Sequence, residues 1–186
     1  MEIEQLPLAG ALLLTPHVFA DERGFFKETY SADRYRGCGI KETFVQDNVS
    51  LSHRNVLRGL HGDARMAKLV GVLRGSAFDV IVDVRPASPT YRRWYGTTLT
   101  AGGGGQVYVP RGFLHGFLAL EDETLFAYKQ SAAYDPEREL SVAWNDADLG
   151  IEWPLAGGLP ILSRRDAASP SLRAAERNVT NAREPR

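Results

Sequence analysis

Of 186 residues only Cys38 is a cysteine, which excludes an internal disulfide framework and any site built on several thiolates. An excess of one charge is also missing. The 22 Lys and Arg against 23 Asp and Glu leave a net charge of −1, so the chain offers no broad field for nucleic acid. Long apolar runs are absent: stretches such as Leu8–Leu14 are interrupted and too short to cross a bilayer. The start, Met1-Glu2-Ile3-Glu4, is acidic where a signal peptide is basic. The expectation is a soluble cytoplasmic protein with no nucleic-acid or membrane partner. The four histidines, His17, His53, His61 and His115, are widely separated and form no His-x-His pair, so no metal is expected. The run Gly102–Gly105 lacks a following Lys-Ser/Thr and reads as a turn rather than a phosphate loop.

What the chain does have is backbone punctuation. Eighteen glycines and ten prolines divide short segments rich in Val, Tyr, Phe and Thr, the pattern of an all-β sandwich or barrel. With 44% hydrophobic residues, 186 residues can bury one sizeable core. The clearest strand is Ala77–Val84, with Phe78, Val80, Val82 and Val84 on one face and Asp79 and Asp83 on the other. Lys68–Leu73 precedes it across Arg74-Gly75, which reads as a hairpin, and Pro86 and Pro89 end it. Further strands are expected at Val45–Leu51, Tyr95–Thr100, Gln106–Val109, Gly116–Leu120 and Leu125–Ser131. Helical signals are short: Ser31 capping Ala32–Arg36, and Leu172–Arg177. Residues 1–166 read as a single domain, and 167–186, poor in apolar periodicity, as a mobile or surface-packed polar tail beyond the core.

Polar residues inside a small barrel need partners or a ligand. Gln46, Asn48 and Ser50 share one strand face, which is either part of a polar lumen or simply exposed; that strand alone favours exposure. In Leu57-Arg58-Gly59-Leu60-His61 the guanidinium and the imidazole fall on opposite faces of a regular strand. They can reach one site only if Gly59 bends the backbone. With Lys68 starting a strand that can return alongside, His61 is either a base beside an anion-binding cluster or a member of a solvated basic patch. Taken singly, His115 reads as a satisfied core histidine and Tyr128 as a core tyrosine whose hydroxyl needs a partner. Arg23 can pair with a phosphate, Phe26 can stack on a base and Glu28 can accept from an N–H, or the three merely form a turn leading into a strand.

The order of these motifs is more specific than any one of them. Asp21-x-Arg23-Gly24-Phe25-Phe26-x-Glu28, Gln46-Asp47-Asn48-x-Ser50, Leu57-Arg58-Gly59-Leu60-His61, Lys68-Leu69-Val70, Gly112-Phe113-x-His115-Gly116-Phe117, Tyr128-Lys129 and Ile151-Glu152-Trp153-Pro154 follow one another up to Asp166. This succession closely resembles the dTDP-4-dehydrorhamnose 3,5-epimerase family. The resemblance implies a cupin-type jelly-roll β-barrel with a few short helices. It implies a homodimer with an exchanged N-terminal strand, and a nucleotide-linked 4-keto-6-deoxy sugar as substrate, with neither metal nor organic cofactor. By that resemblance His61 is the base, Asp166 orients it, Tyr128 is the acid on the other face of the sugar and Lys68 stabilises the enolate oxygen. Arg58, Gln46 and Asn48 would hold the sugar and diphosphate, and His115 would line the sugar pocket. Arg23, Phe26 and Glu28 would contact the nucleotide from the partner subunit.

One stretch departs from the pattern. The family usually follows the base with an aromatic, a glutamine and a longer loop, whereas His61-Gly62-Asp63-Ala64-Arg65-Met66-Ala67-Lys68 is shorter and lacks both side chains. Which sugar is bound and whether C3, C5 or both are inverted stay open. A sugar-nucleotide 3,4-ketoisomerase, a non-catalytic nucleotide-sugar binding cupin and a metal cupin are the competing readings.

Overall fold

The computed structural model describes residues 1–181. In chain order, β1 (Glu2–Gln5) and β2 (Leu12–Thr15) are followed by β3 (Val18–Asp21), β4 (Gly24–Lys27) and α1 (Ala32–Gly37). Then come β5 (Gln46–Ser52), β6 (Leu57–Gly62), β7 (Lys68–Arg74), β8 (Ser76–Asp83) and β9 (Trp94–Thr100). The chain ends with β10 (Gln106–Val109), β11 (Phe113–Ala119), β12 (Thr124–Gln130), β13 (Leu140–Ser141), α2 (Arg164–Ala167) and α3 (Leu172–Asn181). Among the described residues no helix is long and apolar enough to cross a membrane.

Two antiparallel sheets face each other as a jelly roll. One has the order β1-β2-β10-β7-β12-β5 and the other β13-β6-β11-β8-β9, while β3 and β4 form a separate two-stranded arm. Alternation along the strands sorts side chains to the two faces. Val70, Val72, Val107 and Phe126 of the six-stranded sheet meet Ile81, Phe113 and Phe117 of the other, and the Phe117 and Phe126 rings stack 4.0 Å apart. Outside the six-stranded sheet, α1 brings Tyr35 onto Leu12, Leu14 and Leu69. Ser31 stands before α1 as anticipated, but its side chain makes no capping hydrogen bond.

Two expectations are corrected. Lys68–Arg74 and Ser76–Asp83 are not a hairpin, because β7 lies between β10 and β12 whereas β8 lies between β11 and β9. Both strands are buried along most of their length, so each takes a central place in a different sheet. Gly75 makes the crossing possible with φ +76°, and a Cβ there would meet the Thr124 hydroxyl at 2.8 Å. The second correction is partial: of the two forms expected for 167–186, mobile or surface-packed, the described residues take the packed one and join the core. Leu172 and Ala175, one helical turn apart on α3, are buried against Leu60, Val80, Val82 and Leu114. The outer face of the five-stranded sheet is apolar and needs that cover. Residues 182–186 of the assigned tail lie outside the described residues.

Asp83, on the inward face of β8, is fully buried. Burial alone would push its carboxyl up, but hydrogen bonds from Arg85, Ser88 and Thr90 hold it at about 2, below its ordinary 3.8. Arg85 also donates to the Ala9 carbonyl (2.7 Å), so this one carboxylate ties the 85–90 loop to the N-terminal strands. A depressed folded value contributes stability that is fully present above pH 4 and fades as pH falls toward 2, about 2 kcal/mol in all. Urea unfolding should therefore show Asp83→Asn well below the wild type at pH 7, with the gap closing as pH approaches 2. A gap independent of pH would refute the charge as its cause.

Candidate active site

Between the sheets lies a cavity of about 390 Å³. Gln46, Asn48, Arg58, His61, Lys68, His115, Tyr128 and Asp166 all line it. Eight of the eleven residues picked from the sequence thus meet in one place. His61 comes from β6 in the five-stranded sheet and Tyr128 from β12 in the six-stranded one, so imidazole and phenol stand on opposite walls.

A register change puts His61 there. His115 pairs with His61 but Phe117 pairs with Arg58, so Gly59 and Leu60 together oppose Gly116 alone. This bulge turns Arg58 and His61 to the same side, as the sequence requires if they share a site. Gly59 has φ +132°, and a Cβ on it would lie 2.6 Å from the Gly116 Cα. β5 resolves the other open choice. Gln46, Asn48 and Ser50 face the cavity, while Val49 and Leu51 are the exposed side.

The His61 Nε2 lies 2.6 Å from Asp166 Oδ1. Asp166 is only 5% exposed and sits in α2, where Ser163 accepts its backbone N–H and donates to its Oδ2 (2.8 Å). Burial pushes the Asp166 carboxyl up, yet hydrogen bonds from His61 and Ser163 prevail and keep it below the usual range. An ionised Asp166 selects the tautomer with hydrogen on Nε2, which donates to it, and leaves the lone pair on Nδ1.

Burial acts on the other groups with less opposition. Lys68, 8% exposed, is pulled down to about 8 by desolvation, against the charges of Asp79 and Asp63. Its Nζ reaches the His61 carbonyl at 3.4 Å. Burial likewise raises the Tyr128 phenol, with Arg58 opposing the shift, so the hydroxyl keeps its proton at neutral pH. His115 is bonded through Nε2 to Asp79 Oδ1 (2.6 Å) in the barrel interior. Among the described residues the second oxygen of Asp79 has no hydrogen-bond partner.

Arg23, Phe26 and Glu28 are not in this cavity. Arg23 is paired with Asp21, Glu28 with Arg34, and Phe26 is 70% exposed on the β3–β4 arm. Sequence reasoning in turn missed Tyr134, Glu139, Ser163 and Arg165 of the cavity wall, and Asp79 behind His115. For Asp79 a signal exists: a carboxylate inside an apolar strand demands a buried partner. Glu139 and Arg165 pair with each other, but their separation in the chain leaves no local mark. Among the described residues no three His, Cys, Asp or Glu side chains converge as metal ligands do.

Fold and cavity together define an enzyme of the cupin-type jelly-roll class. The family model for dTDP-4-dehydrorhamnose 3,5-epimerase matches residues 5–174, and the chain belongs to that family. It is 46% identical over 176 residues to the dTDP-4-dehydrorhamnose 3,5-epimerase of Salmonella typhimurium, covering 92% of this chain and 96% of the relative. The dTDP-6-deoxy-D-glucose-3,5-epimerase of Legionella pneumophila, solved with dTDP-4-keto-L-rhamnose, superposes with TM-score 0.89 at 43% identity, over 92% of this chain and 93% of that one. A 3′-monoepimerase from Streptomyces bikiniensis, solved with dTDP-quinovose, gives 0.87 at 37% identity, over 94% and 89%.

The bulge gives a direct test. Gly59→Ala should lose about 3 kcal/mol in urea unfolding, from backbone strain and the clash with Gly116. Gly37→Ala, which meets nothing within 4 Å, should be neutral or slightly stabilising. Equal stability of the two variants would show that the bulge does not need glycine.

Proposed function

We propose that this protein epimerises a dTDP-linked 4-keto-6-deoxy sugar, inverting C3, C5 or both. The observation that carries the reading is the placement of His61, held by Asp166, and Tyr128 on opposite walls of one cavity, with Lys68 between them in sequence and buried beside His61. A ketone at C4 acidifies the protons on C3 and C5. His61 Nδ1 takes one of them, and the resulting imidazolium is stabilised by the ionised Asp166. The Lys68 ammonium, and the proton it carries, meets the enolate oxygen, where preorganised charge contributes several kcal/mol. Tyr128, protonated because burial raises its phenol, returns a proton from the opposite side and so inverts the carbon.

Arg58, Gln46 and Asn48 supply donors for the sugar and the diphosphate, and His115, oriented by Asp79, faces the ring. The nucleotide contacts come from a second subunit in this reading. Arg23, Phe26 and Glu28 lie outside their own cavity, and the arm that carries them exposes Phe19, Phe25 and Phe26. The edge strand β5 exposes Val49 and Leu51 as well. An arm exchanged between two copies covers these apolar side chains and brings Arg23 to the partner's cavity. The similarity to a 3′-monoepimerase, together with the shortened His61–Lys68 connection, makes the number of inverted carbons a matter for the assay. A cytoplasmic location follows from the substrate class, since nucleotide-activated sugars are made there.

Incubation with dTDP-4-keto-6-deoxyglucose in deuterated water should place deuterium at C3, at C5 or at both. His61→Ala should abolish it, a loss of roughly 10²–10⁴-fold in rate. Tyr128→Phe should keep part of the exchange and lose net inversion. Absence of deuterium in the wild type with several nucleotide variants would reject the epimerase reading, and migration of the keto group would favour the ketoisomerase. For the assembly, sedimentation should show a dimer, and Phe26→Asp should shift it toward monomer with loss of turnover. A fully active monomer would exclude the exchanged arm.

A further inference from the structure

None of residues 62–67, the shortened connection, lines the cavity. The connection nevertheless ends in a charge cluster that reaches the cavity wall from behind. Met66 N–H donates to the Asp63 carbonyl, closing a tight turn. Asp63, only 6% exposed, accepts the Arg65 backbone N–H at 2.8 Å and its guanidinium at 2.6 Å. A planar guanidinium has donors left over after one carboxylate is satisfied. The Arg65 Nη2 that holds Asp63 also forms an ion pair with Asp135 Oδ2 at 3.7 Å, and Arg138 Nε lies 3.2 Å from the same oxygen.

Asp135 follows Tyr134 in the segment that forms the wall. Its Oδ1 accepts the Glu137 N–H and its carbonyl the Arg138 N–H, so the turn is built around this one residue. At one end Tyr134 N–H is held by Gln46 of β5; at the other Glu139 sits against Arg165, whose guanidinium also donates to the Tyr134 hydroxyl. Arg138 belongs to the same segment. Among the described residues Arg65 is therefore the ion-pair link from Asp135 back to the barrel.

We infer that Arg65 is a positioning residue: anchored on the buried Asp63, it holds Asp135 and so sets where Tyr134 and Glu139 stand against the sugar. Exposed ion pairs contribute little on their own, but this one starts from a desolvated carboxylate that cannot turn to water. Granted that the cavity takes a nucleotide-linked 4-keto sugar, as proposed above, the shortened connection acts on the substrate through this cluster rather than by touching it. The His61–Asp166 pair lies outside it, so substrate binding should suffer and proton transfer should not.

The test is steady-state kinetics with dTDP-4-keto-6-deoxyglucose, together with amide hydrogen exchange across residues 132–140. Arg65→Ala and Asp135→Asn should each raise KM about tenfold with kcat within about twofold, and Arg65→Lys should recover part of the loss. Amide exchange should quicken at 132–140 and stay unchanged along β12. Arg65→Ala leaves Asp63 buried without its partner and can unfold the chain; Asp135→Asn keeps the buried pair and the turn acceptor, and it decides the matter in that event. Unchanged KM and unchanged exchange in Asp135→Asn would overturn the inference, as would a fall in kcat equal to the rise in KM. A wild type that turns over none of the sugars would reject the epimerase reading instead, and the exchange measurement would still decide whether Arg65 holds the wall.

Discussion

Two residues of β6 stand opposite one residue of β11, and that mismatch decides which side of the barrel wall His61 faces. Without it, Arg58 and His61 would point to opposite sides, one into the cavity and one away. Gly59 adopts a backbone that only glycine takes readily, and Gly116 opposite leaves the space it needs. The geometry of the cavity wall thus begins as a backbone constraint. The His61–Asp166 hydrogen bond and the approach of Lys68 to the His61 carbonyl are placed by it.

The barrel then treats its charges unequally. Asp83 and Asp166 are buried but receive enough donors to remain ionised, whereas Lys68 and Tyr128 are buried with little compensation and shift as desolvation dictates. One of the compensated carboxylates fastens loops. The other fixes the tautomer of an imidazole. The uncompensated groups are those whose proton or charge the proposed reaction would use. Burial is thus turned to stability on one side of the fold and to reactivity on the other, with the supply of nearby donors making the difference.

Much of the site could be read in the chain because strand alternation is a local property. Gln46, Asn48 and Ser50 share a face by counting, and Gly59 beside Arg58 and His61 announced a bend. Strand positions were also close: Gln106–Val109 is matched residue for residue, and Thr124–Gln130 is the expected span shifted by one residue. The failures were of pairing. β7 and β8 look like a hairpin because they are adjacent and apolar, but a strand apolar on both faces belongs in the middle of a sheet, and there are two sheets to choose from. The helix at Leu172 was legible, but whether the tail would pack was not, because only Leu172 and Ala175 cover the sheet and their partners lie on distant strands.

By itself the sequence determined a chain built mostly of strands, a single cysteine and no His-x-His pair, and, through the family resemblance, His61, Tyr128, Lys68 and Asp166 as one set. These follow from composition, from alternation and from the order of motifs, all carried by residue identity along one dimension. The tertiary structure alone decided that His61 and Tyr128 come from opposite sheets, that Asp79 stands behind His115 and that Arg65 reaches Asp135. It also decided that Arg23, Phe26 and Glu28 lie outside the cavity. Such pairings join residues far apart in the chain, and burial selects them only after both sheets have closed on a common core.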